Sequence, residues 1–361
     1  QATTVKAQMF INSFGSLNAA NMDYSIDVFL RQSWVDPRLR YNLTRPHFTI
    51  TDPRIRKKIW KPDTYFNNVK DAKVHQVTMP NILIRVHKTG QVLYSMRATL
   101  TLSCSMDFEF YPFDAQSCNA NISSYAYTDD VIQYEWVEHN PIDAERDLEI
   151  AQFDLIGKDC TSYTQYFTTG NFSGLSVFFF LRRQNGYHVL QTYVPTILIV
   201  VISWVSFWLD PNAVPGRVSL GVTTLLTLTT LASGIRSQLP PVSYVKAIDV
   251  WIGMCMIMVF GALLEFTFVN WLANKKIMKN RMPFHIPRCL SGTDDHEEDA
   301  YGQPIPPPTT YLFHARCIDR LCRALFPGFF LIFNIVYWPY YLHKQTHAHN
   351  FDDSGLAISN C

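Results

Sequence analysis

Four long runs without charged side chains constrain this chain more than any other feature of its sequence. Three of them lack Asp, Glu, Lys and Arg altogether, and they cover residues 184–209, 218–235 and 324–342. A fourth, 250–264, continues past a single glutamate, Glu265, to about residue 272. Because about 20 apolar residues cross the hydrocarbon core of a bilayer, each run predicts a membrane-spanning helix. A large soluble helical core is the alternative, but soluble helices seldom run so far without a charge.

The polar features around these runs predict which side of the membrane each segment occupies. Three N-glycosylation sequons precede the first run, at Asn42, Asn121 and Asn171, as expected of an extracellular segment. The connection between the third and fourth spans, about 273–314, is rich in lysine and arginine, which is typical of a cytoplasmic loop. Four spans then place both termini outside the cell. The polar start "QATTVKAQ" has no signal peptide, as expected of a processed N terminus.

Residues 1–183 have the pattern of an all-β domain. Short segments alternate apolar and polar side chains, "KTGQ" predicts a hairpin turn, and turn signals recur at the spacing of a β-sandwich. We therefore predict an all-β extracellular sandwich followed by a four-helix transmembrane bundle. The predicted boundaries are 1–183 for the sandwich, 184–272 for three helices, 273–322 for a partly disordered cytoplasmic loop, 323–342 for the fourth helix and 343–361 for an extracellular tail. Within the loop, residues 291–310 are acidic and proline-rich, which predicts disorder.

The extracellular cysteines predict one disulfide. Of the eight cysteines, three precede the first span, on the side of the membrane where disulfides persist. Cys104 and Cys118 are the natural pair, which leaves Cys160 over. Surface loops are usually polar, so the loop closed by this pair should press against another apolar surface. Its apolar residues are Met106, Phe108, Phe110, Tyr111 and Phe113.

The second run, "VSLGVTTLLTLTTLASGI", has more hydroxyl groups than an ordinary membrane helix. At 100° per residue, one helical face carries a polar stripe with a single leucine, made of Ser219, Thr223, Leu226, Thr230 and Ser233. Such a stripe indicates a helix that lines water, and about five copies around an axis would be needed to close a channel. The alternative, which the sequence leaves open, is that the hydroxyls serve contacts between helices.

Other function classes find no support in the sequence. The net charge of +1 gives the chain no general attraction for nucleic acid. We find no nucleophile–base motif, metal motif or phosphate-binding loop. The sequence therefore predicts neither an enzyme nor a protein that depends on a cofactor or metal.

Several motifs, in order along the chain, carry a family resemblance. They are "FLRQSWVDPRL" from residue 29, "IWKPD" from 59, "YPFD" inside the disulfide loop, "LRRQNGYHVLQTYVPT" from 181 and "PGRVSLGVTTLLTLTTLASGIR" from 215. With these motifs the chain resembles a Cys-loop pentameric ligand-gated ion channel. Within that family it is most similar to the anion-conducting branch, which includes the glycine, GABA and glutamate-gated chloride receptors. An invertebrate subunit without an assigned transmitter is one option.

The resemblance implies a chloride channel of the plasma membrane, opened by a small extracellular ligand, with a postsynaptic site as one option. Four further subunits, most simply copies of this chain, would complete a homopentamer that also contacts membrane lipid. Ligand sites would lie at the subunit interfaces. The open alternatives are a cation-conducting or proton-modulated channel of the same family, and an accessory subunit that needs partners.

The resemblance also implies a ligand site between a principal face and a complementary face of neighbouring subunits. The principal face would comprise Tyr65, Asn68, Ser124, Tyr125, Tyr127, Phe167, Thr169 and Phe172. The complementary face would comprise Phe29, Arg31, Ser95 and Arg97. This chemistry suits an amino-acid transmitter, because aromatic faces attract an ammonium group and an arginine binds a carboxylate through two parallel hydrogen bonds.

Three departures from the family pattern bear on the identity of the ligand. Ser123 stands where relatives that bind glycine or GABA have a glutamate that holds the amine. Cys160 fits the first half of the second disulfide of glycine-type receptors, but Gly174 occupies the position of the other half. The binding hairpin is longer than in those receptors, and the sequon at Asn171 would place a glycan at its entrance.

For the pore, the resemblance implies two rings of positive charge, from Arg217 and Arg236, of the kind that favours anions. The triplet Pro215-Gly216-Arg217 is similar to the anion-type sequence at the inner mouth. Leu226, the only large apolar residue of the stripe, would form the gate.

For coupling between the two domains, the resemblance points to the disulfide loop and to the end of the last strand. The loop residues are Tyr111, Pro112, Phe113 and Asp114. We expect an ion pair between Asp114 and Arg183, and contacts from Met106, Phe110, Tyr111 and Phe113 to residues 236–246.

Overall fold

The computed structural model describes residues 2–145, 148, 150–210, 213–274 and 310–347, with side chains described for all of these except 272–274, 310–316 and 346–347. The chain forms two compact units. One comprises Gln1–Asn185, Ser237–Tyr244 and the chain from His343, and the other comprises Gly186–Arg236 and Val245–Leu342. The predicted disorder at 291–309 and the predicted tail beyond 347 lie outside the described residues.

The first unit is a sandwich of two β-sheets, as the alternating sequence pattern predicts. The larger sheet contains β1 (Thr3–Asn18), β2 (Asp23–Val35), β3 (His47–Thr49), β5 (Val69–Val74), β6 (Ile82–His87), β7 (Gln91–Ser103), β9 (Ile132–Trp136) and β10 (Ile142–Ala144). The smaller contains β4 (Thr64–Phe66), β8 (Ala115–Ser124), β11 (Phe153–Phe167) and β12 (Gly170–Arg183). Their strand orders are β10-β1-β2-β7-β6-β3, with β5 on β7 and β9 on β1, and β11-β12-β8-β4.

Strand β2 shows how the sequence builds the core. Its apolar residues recur at every second position, and Tyr24, Ile26, Val28 and Leu30 are all buried. Successive side chains of a strand point to opposite faces, so this alternation turns one face of the sheet inward. The predicted hairpin at "KTGQ" is confirmed, because β6 and β7 pair across it in antiparallel register. Gly90 supplies the positive φ (84°) that this turn requires.

The disulfide between Cys104 and Cys118 is confirmed, with a Cα–Cα distance of 5.2 Å. Cys160 is also disulfide-bonded, which corrects the expectation that it is left over. The apolar loop is largely buried, and the backbone amide of Phe108 donates to the hydroxyl of Tyr244 at 2.9 Å. The loop therefore contacts residues 236–246, the connection that follows the second span, as expected. The hydrogen bond comes from Phe108, which was not among the residues predicted to make this contact.

Four helices of the second unit are long and apolar enough to cross a membrane, as predicted. The first span, Gly186–Trp208, consists of α2 (Gly186–His188), a π-helical turn (Val189–Tyr193), α3 (Val194–Trp204) and a 3-10 turn (Val205–Trp208). The others are α4 (Val214–Ser237), α5 (Ala247–Asn274) and α6 (Thr310–His347). Helix α6 begins inside the segment predicted to be cytoplasmic loop, because the helix continues beyond its charge-free part.

Aromatic side chains hold three of these helices together. Trp251 of α5 is fully buried, and its ring centroid lies 4.9 Å from that of Tyr193 and 5.1 Å from that of Tyr337 in α6. Its indole nitrogen donates to the hydroxyl of Thr196 at 2.9 Å. Rings of this size contribute most of the apolar contact in such a core, and a paired N–H removes the cost of burying it.

Candidate functional site

Four predicted principal-face aromatics form two edge-to-face pairs in the first unit. Tyr65 of β4 and Tyr125, just after β8, have ring centroids 5.5 Å apart. Phe167 and Phe172 flank the turn between β11 and β12, with centroids 5.8 Å apart. Tyr125 is 77% exposed and Phe167 is 50% exposed. Each pair thus offers one open ring of the kind that attracts a cation. Tyr65 is partly buried and Phe172 is buried at 9% exposure, which corrects the expectation that Phe172 faces the ligand. Thr169 is also exposed, at the hairpin tip.

Three other predicted principal-face residues are engaged in the fold. Tyr127 is partly buried and packs near Trp60, with ring centroids 6.5 Å apart. Ser124 is buried, and its hydroxyl donates to Asp63 Oδ1 at 2.6 Å. Asn68 donates from Nδ2 to backbone carbonyls of β7 and β8, at 3.0 and 2.8 Å. These side chains position the strands that carry the exposed rings.

A polar network on the same sheet was not predicted from the sequence. Asn67 donates from Nδ2 to the hydroxyl of Tyr163 at 3.2 Å and to Gln165 Oε1 at 3.1 Å. Its Oδ1 accepts from the hydroxyl of Ser123 at 2.8 Å. Ser123 therefore serves this network in place of a carboxylate, so all of its members are neutral side chains, and burial raises the pKa of Tyr163.

Gly174 was expected at the position of the half-cystine that would pair with Cys160. In the structure it lies opposite a tyrosine instead and makes room for that ring. Gly174 lies opposite Tyr163 in the β11–β12 register, whereas Cys160 lies opposite Val177. A Cβ at Gly174 would come within 2.6 Å of Tyr163 Cζ, so the glycine gives the ring its place. A glycine inside a strand often marks such a close approach. Gly174 is therefore the one sequence signal that could have predicted a side chain such as Tyr163 next to it.

The complementary-face residues lie side by side on β2 and β7. Arg31 pairs in register with Ser95, and Phe29 with Arg97. The guanidinium of Arg31 lies 5.8 Å from the ring centroid of Phe10, and its Nη1 donates to Gln8 Oε1 at 3.2 Å. A cleft of about 410 Å³ opens beside it, lined by Phe29, Arg31, Pro80, Asn81, Ile82, Leu83, Leu93 and Ser95.

The two arginines of this face differ in charge compensation. Arg97 donates to Asp27 from Nη2 at 2.5 Å and from Nε at 3.1 Å, and this hydrogen bonding raises the pKa of Arg97. Asp27 also accepts from Asn12 at 3.0 Å. Among the described residues, Arg31 has no carboxylate within ion-pair distance. Arg31 is therefore the arginine free to bind an acidic ligand, and Arg97 is committed within its own subunit.

The three sequons differ in their surroundings. Asn42 and Asn171 are exposed, the latter at the start of β12. Asn121 lies within β8, and its Oδ1 accepts from the hydroxyl of Ser176 at 2.7 Å. The side chains of Asn42 and Asn171 are thus open to solvent, whereas that of Asn121 is engaged in the sheet, and glycosylation of these sequons stays a prediction.

The predicted ion pair between Arg183 and Asp114 is confirmed. Arg183 donates from Nε and Nη2 to the two carboxylate oxygens, at 2.7 and 3.1 Å. Both residues are almost fully buried, as are Tyr111, Pro112 and Phe113. The guanidinium lies 4.7 Å from the centroid of Tyr111 and 4.4 Å from that of Phe153. Two rings and a carboxylate therefore fix the arginine at the end of β12.

The predicted polar stripe lies on the exposed side of α4. Ser219, Thr223, Thr230 and Ser233 are exposed, and Leu226 is 62% exposed. The buried side of the same helix carries Gly221, Thr224, Leu228 and Ala232. The hydroxyl of Thr230 donates to the backbone carbonyls of Leu226 and Thr227 in its own helix, at 3.1 and 2.8 Å. The exposure of the stripe bears on the alternative that the sequence left open, contacts between helices. Pro215 and Gly216 are exposed at the start of the helix.

Arg217 corrects the prediction of a charged ring at the inner end of α4. Its side chain is buried, and it donates to both carboxylate oxygens of Asp319 in α6, at 3.1 and 2.7 Å. It also donates to the carbonyl of Leu209. The physical reason is helical phase, since Arg217 precedes Ser219 by two residues, or about 200°. Arg236, by contrast, is 58% exposed, with Asp249 at 3.3 Å.

Comparisons with known proteins agree with this arrangement of domains. Residues 1–185 match the family model described as the neurotransmitter-gated ion-channel ligand binding domain. Residues 192–293 match the model described as the neurotransmitter-gated ion-channel transmembrane region. The first match alone spans more than half of the chain and coincides with the sandwich and its aromatic pairs.

Proposed function

This chain belongs to the neurotransmitter-gated ion channels, the Cys-loop family, and we propose that it forms a chloride channel opened by a small extracellular ligand. Pentamers are the norm in that family, so the proposal is a homopentamer with five ligand sites between subunits. The observation that carries the proposal is the exposed stripe of α4, which is polar apart from one leucine.

A pore made of five α4 helices would favour anions for two reasons. Residues 214–237 contain no aspartate or glutamate, so the lining has no acidic ring of the kind that selects cations. The exposed N-terminal residues Pro215 and Gly216 would place five positive helix-dipole ends at the inner mouth. Arg236 lies exposed at the opposite end, but Asp249 at 3.3 Å offsets its charge. Arg217 is left out of this account because Asp319 neutralises it.

The ligand proposed for the interface carries both a cationic and an acidic group. The exposed rings of Tyr125 and Phe167 would receive the cation, with the partly buried Tyr65 beside Tyr125, and Arg31 of the neighbouring subunit would bind the acid. Ser123 already donates to Asn67, so the amine would be held by ring faces without a carboxylate. This composition favours an amino-acid-like transmitter.

Reversal potentials test the proposed selectivity. The chain is expressed alone and screened against a panel of small transmitters and a pH series, and current is recorded at several chloride concentrations. We expect a shift of about 59 mV for each tenfold change in the chloride gradient. The variant Gly216→Glu places an acidic ring at the exposed inner mouth and should move the reversal potential toward that of sodium. A wild-type reversal potential that follows sodium and ignores chloride would contradict the proposal.

A Leu226→Ser background keeps this test available if no transmitter in the panel opens the channel. Replacing the proposed gate residue should produce spontaneous current, whose selectivity can then be measured without an agonist. Current in that background with no agonist response would point to the accessory-subunit alternative. Spontaneous current that is selective for cations would again exclude chloride.

A further inference from the structure

Basic residues are concentrated in one short part of the first unit. Residues 38–61 contain eight of the 31 lysines and arginines of the chain and only one acidic residue, Asp52, although the net charge of the whole chain is +1. The densest part is the helix α1 (Pro53–Lys58), with the sequence PRIRKK. Neither the proposed ligand site nor the proposed pore uses these side chains.

The fold gathers these residues around one cleft. A 3-10 turn, Pro37–Leu39, and helix α1 lie on its two sides. Its volume is about 550 Å³, and we call it the basic cleft, lined by Asp36, Arg38, Leu39, Ile55, Lys57, Lys58, Ile59 and Trp60. Hydrogen bonds from Asp36 to Gly90 (2.9 Å) and from Tyr41 to Lys88 (3.4 Å) attach the β6–β7 turn to the same end of the unit. Lys88 and Arg40 therefore extend the positive surface beyond the cleft.

The nearby acids do not neutralise the cleft. Asp36 accepts from the guanidinium of Arg38 at 2.9 and 2.8 Å, and Asp52 accepts from that of Arg54 at 3.3 and 3.0 Å. These hydrogen bonds lower the pKa of both carboxyl groups, so each acid is an anion already matched by its own arginine. Among the described residues, Lys57 and Lys58 have no ion-pair partner, and both are exposed.

We infer that the basic cleft binds a sulfated glycosaminoglycan. Short runs rich in lysine and arginine form patches for nucleic acids or for heparin-like chains, and on an extracellular domain the polyanion at hand is the sulfated polysaccharide. A linear chain fits an open cleft in which Lys57 and Lys58, the lining cations left unpaired among the described residues, follow one another along one side. The apolar side chains of Ile55 and Trp60 offer contact to sugar rings. An acidic protein surface would make less contact with these two side chains than a polysaccharide would. The cleft shares no residue with the site proposed for the small ligand, although Trp60 of the cleft packs near Tyr127 of the predicted principal face.

The test uses the full-length channel in nanodiscs of neutral phosphatidylcholine, eluted from immobilised heparin with a salt gradient. Lys57→Gln/Lys58→Gln should lower heparin affinity at least tenfold and reduce the log–log salt slope, because fewer counterions are released. Lys57→Arg/Lys58→Arg keeps the charge and should bind as the wild type. Lys70→Gln/Lys73→Gln removes two lysines from β5 and should change affinity less than twofold.

The nature of the polyanion is tested by competition. Heparin should displace the channel from the column, whereas fully desulfated heparin and hyaluronan, which carry carboxylates alone, should require at least tenfold more polymer. Equal competition by desulfated heparin, or tighter binding of polyglutamate, would overturn the assignment to sulfated chains. Loss of affinity in Lys70→Gln/Lys73→Gln equal to that in Lys57→Gln/Lys58→Gln would overturn the assignment to the basic cleft. Pentamer size by gel filtration confirms that each variant is assembled.

Discussion

Arg183 is held by a buried carboxylate and two aromatic rings, and this predicts how its loss should appear. Removing one partner of a buried ion pair leaves an uncompensated charge, which costs about 3–5 kcal/mol. In Arg183→Gln the stranded group is Asp114, 3% exposed. We expect a strong fall in surface expression and in the thermal stability of the pentamer. Fluorescence size-exclusion thermal shifts measure this effect.

The neighbouring residue provides a matched control. Arg182 is 38% exposed and pairs with Asp154 at 3.5 Å, and surface pairs of this kind contribute about 0–1 kcal/mol. Arg182→Gln should therefore behave nearly as the wild type. The double variant Arg183→Gln/Asp114→Asn removes both charges and should recover much of the loss. If Arg183→Gln matched Arg182→Gln in assembly, stability and gating, the coupling role that the resemblance implies for Arg183 would be contradicted.

Side-chain partners show what could be predicted at this scale. The ion pair between Arg183 and Asp114 followed from the family motifs, because both residues lie in them. Arg97 shows the limit, since its commitment to Asp27 depends on the pairing of β2 with β7 and on no local pattern. The contact between Tyr163 and Gly174 likewise exists only after β11 pairs with β12. Residue types therefore indicated the chemistry, and strand pairing decided which groups stay free.

At the scale of an element, the α4 stripe predicts that Leu226 closes the pore. Five leucines that converge on the axis would form an apolar girdle, which water leaves and ions cross at high cost. Leu226→Ser should weaken the closed state, so that spontaneous current appears or agonist sensitivity rises about tenfold, equivalent to 1.4 kcal/mol. Whole-cell recording before and after agonist application, normalised to surface expression, measures both effects.

Leu225→Ser is the matched control, because it is the same substitution one residue away, about 100° around the helix. Leu225 is half-buried rather than exposed, so its replacement should lower expression without producing spontaneous current. Spontaneous current in Leu225→Ser but not in Leu226→Ser would place the gate on another face. No effect in either variant would direct attention to the ring at Ser219.

Helical phase explains both the successful and the failed predictions for α4. The period of 3.6 residues placed the stripe correctly, from Ser219 to Ser233. The same period puts Arg217 on the opposite face of the helix. The sequence alone could therefore have shown that Arg217 and the polar stripe do not both line the pore. Its partner Asp319 was not predictable, because it lies in the part of α6 that the charge pattern assigned to the loop.

At the scale of the whole molecule, the fold class was predictable and the strand order was not. Charge-free runs and alternating strands are local patterns, so they indicated a sandwich followed by four helices. The pairing of β1 with β9 and β10, both in parallel register, joins segments far apart in sequence. The same long-range topology puts Tyr65 and Phe167 on one sheet and Arg31 on the other. We therefore expect a ligand site that needs both sets to lie between two subunits, as proposed above.

A site shared between subunits predicts complementation between two defective chains. Arg31→Ala should raise the agonist concentration for half-maximal current tenfold or more, since a charged hydrogen bond contributes about 1.5–3 kcal/mol. Phe167→Ala should raise it about twofold to thirtyfold, since a cation–π contact contributes about 0.5–2 kcal/mol. In a mixed pentamer with head-to-tail interfaces, an interface is intact when the Arg31→Ala chain supplies the principal face and the Phe167→Ala chain supplies the complementary face. This holds for roughly one interface in four. Co-expression should thus restore a component of current at wild-type agonist concentrations.

Arg31→Ala with Ser95→Ala is the control, because both changes lie on the complementary face and every interface then keeps one defect. A restored component in that control, or its absence from the first mixture, would contradict an interface between a principal face and Arg31 of the next subunit.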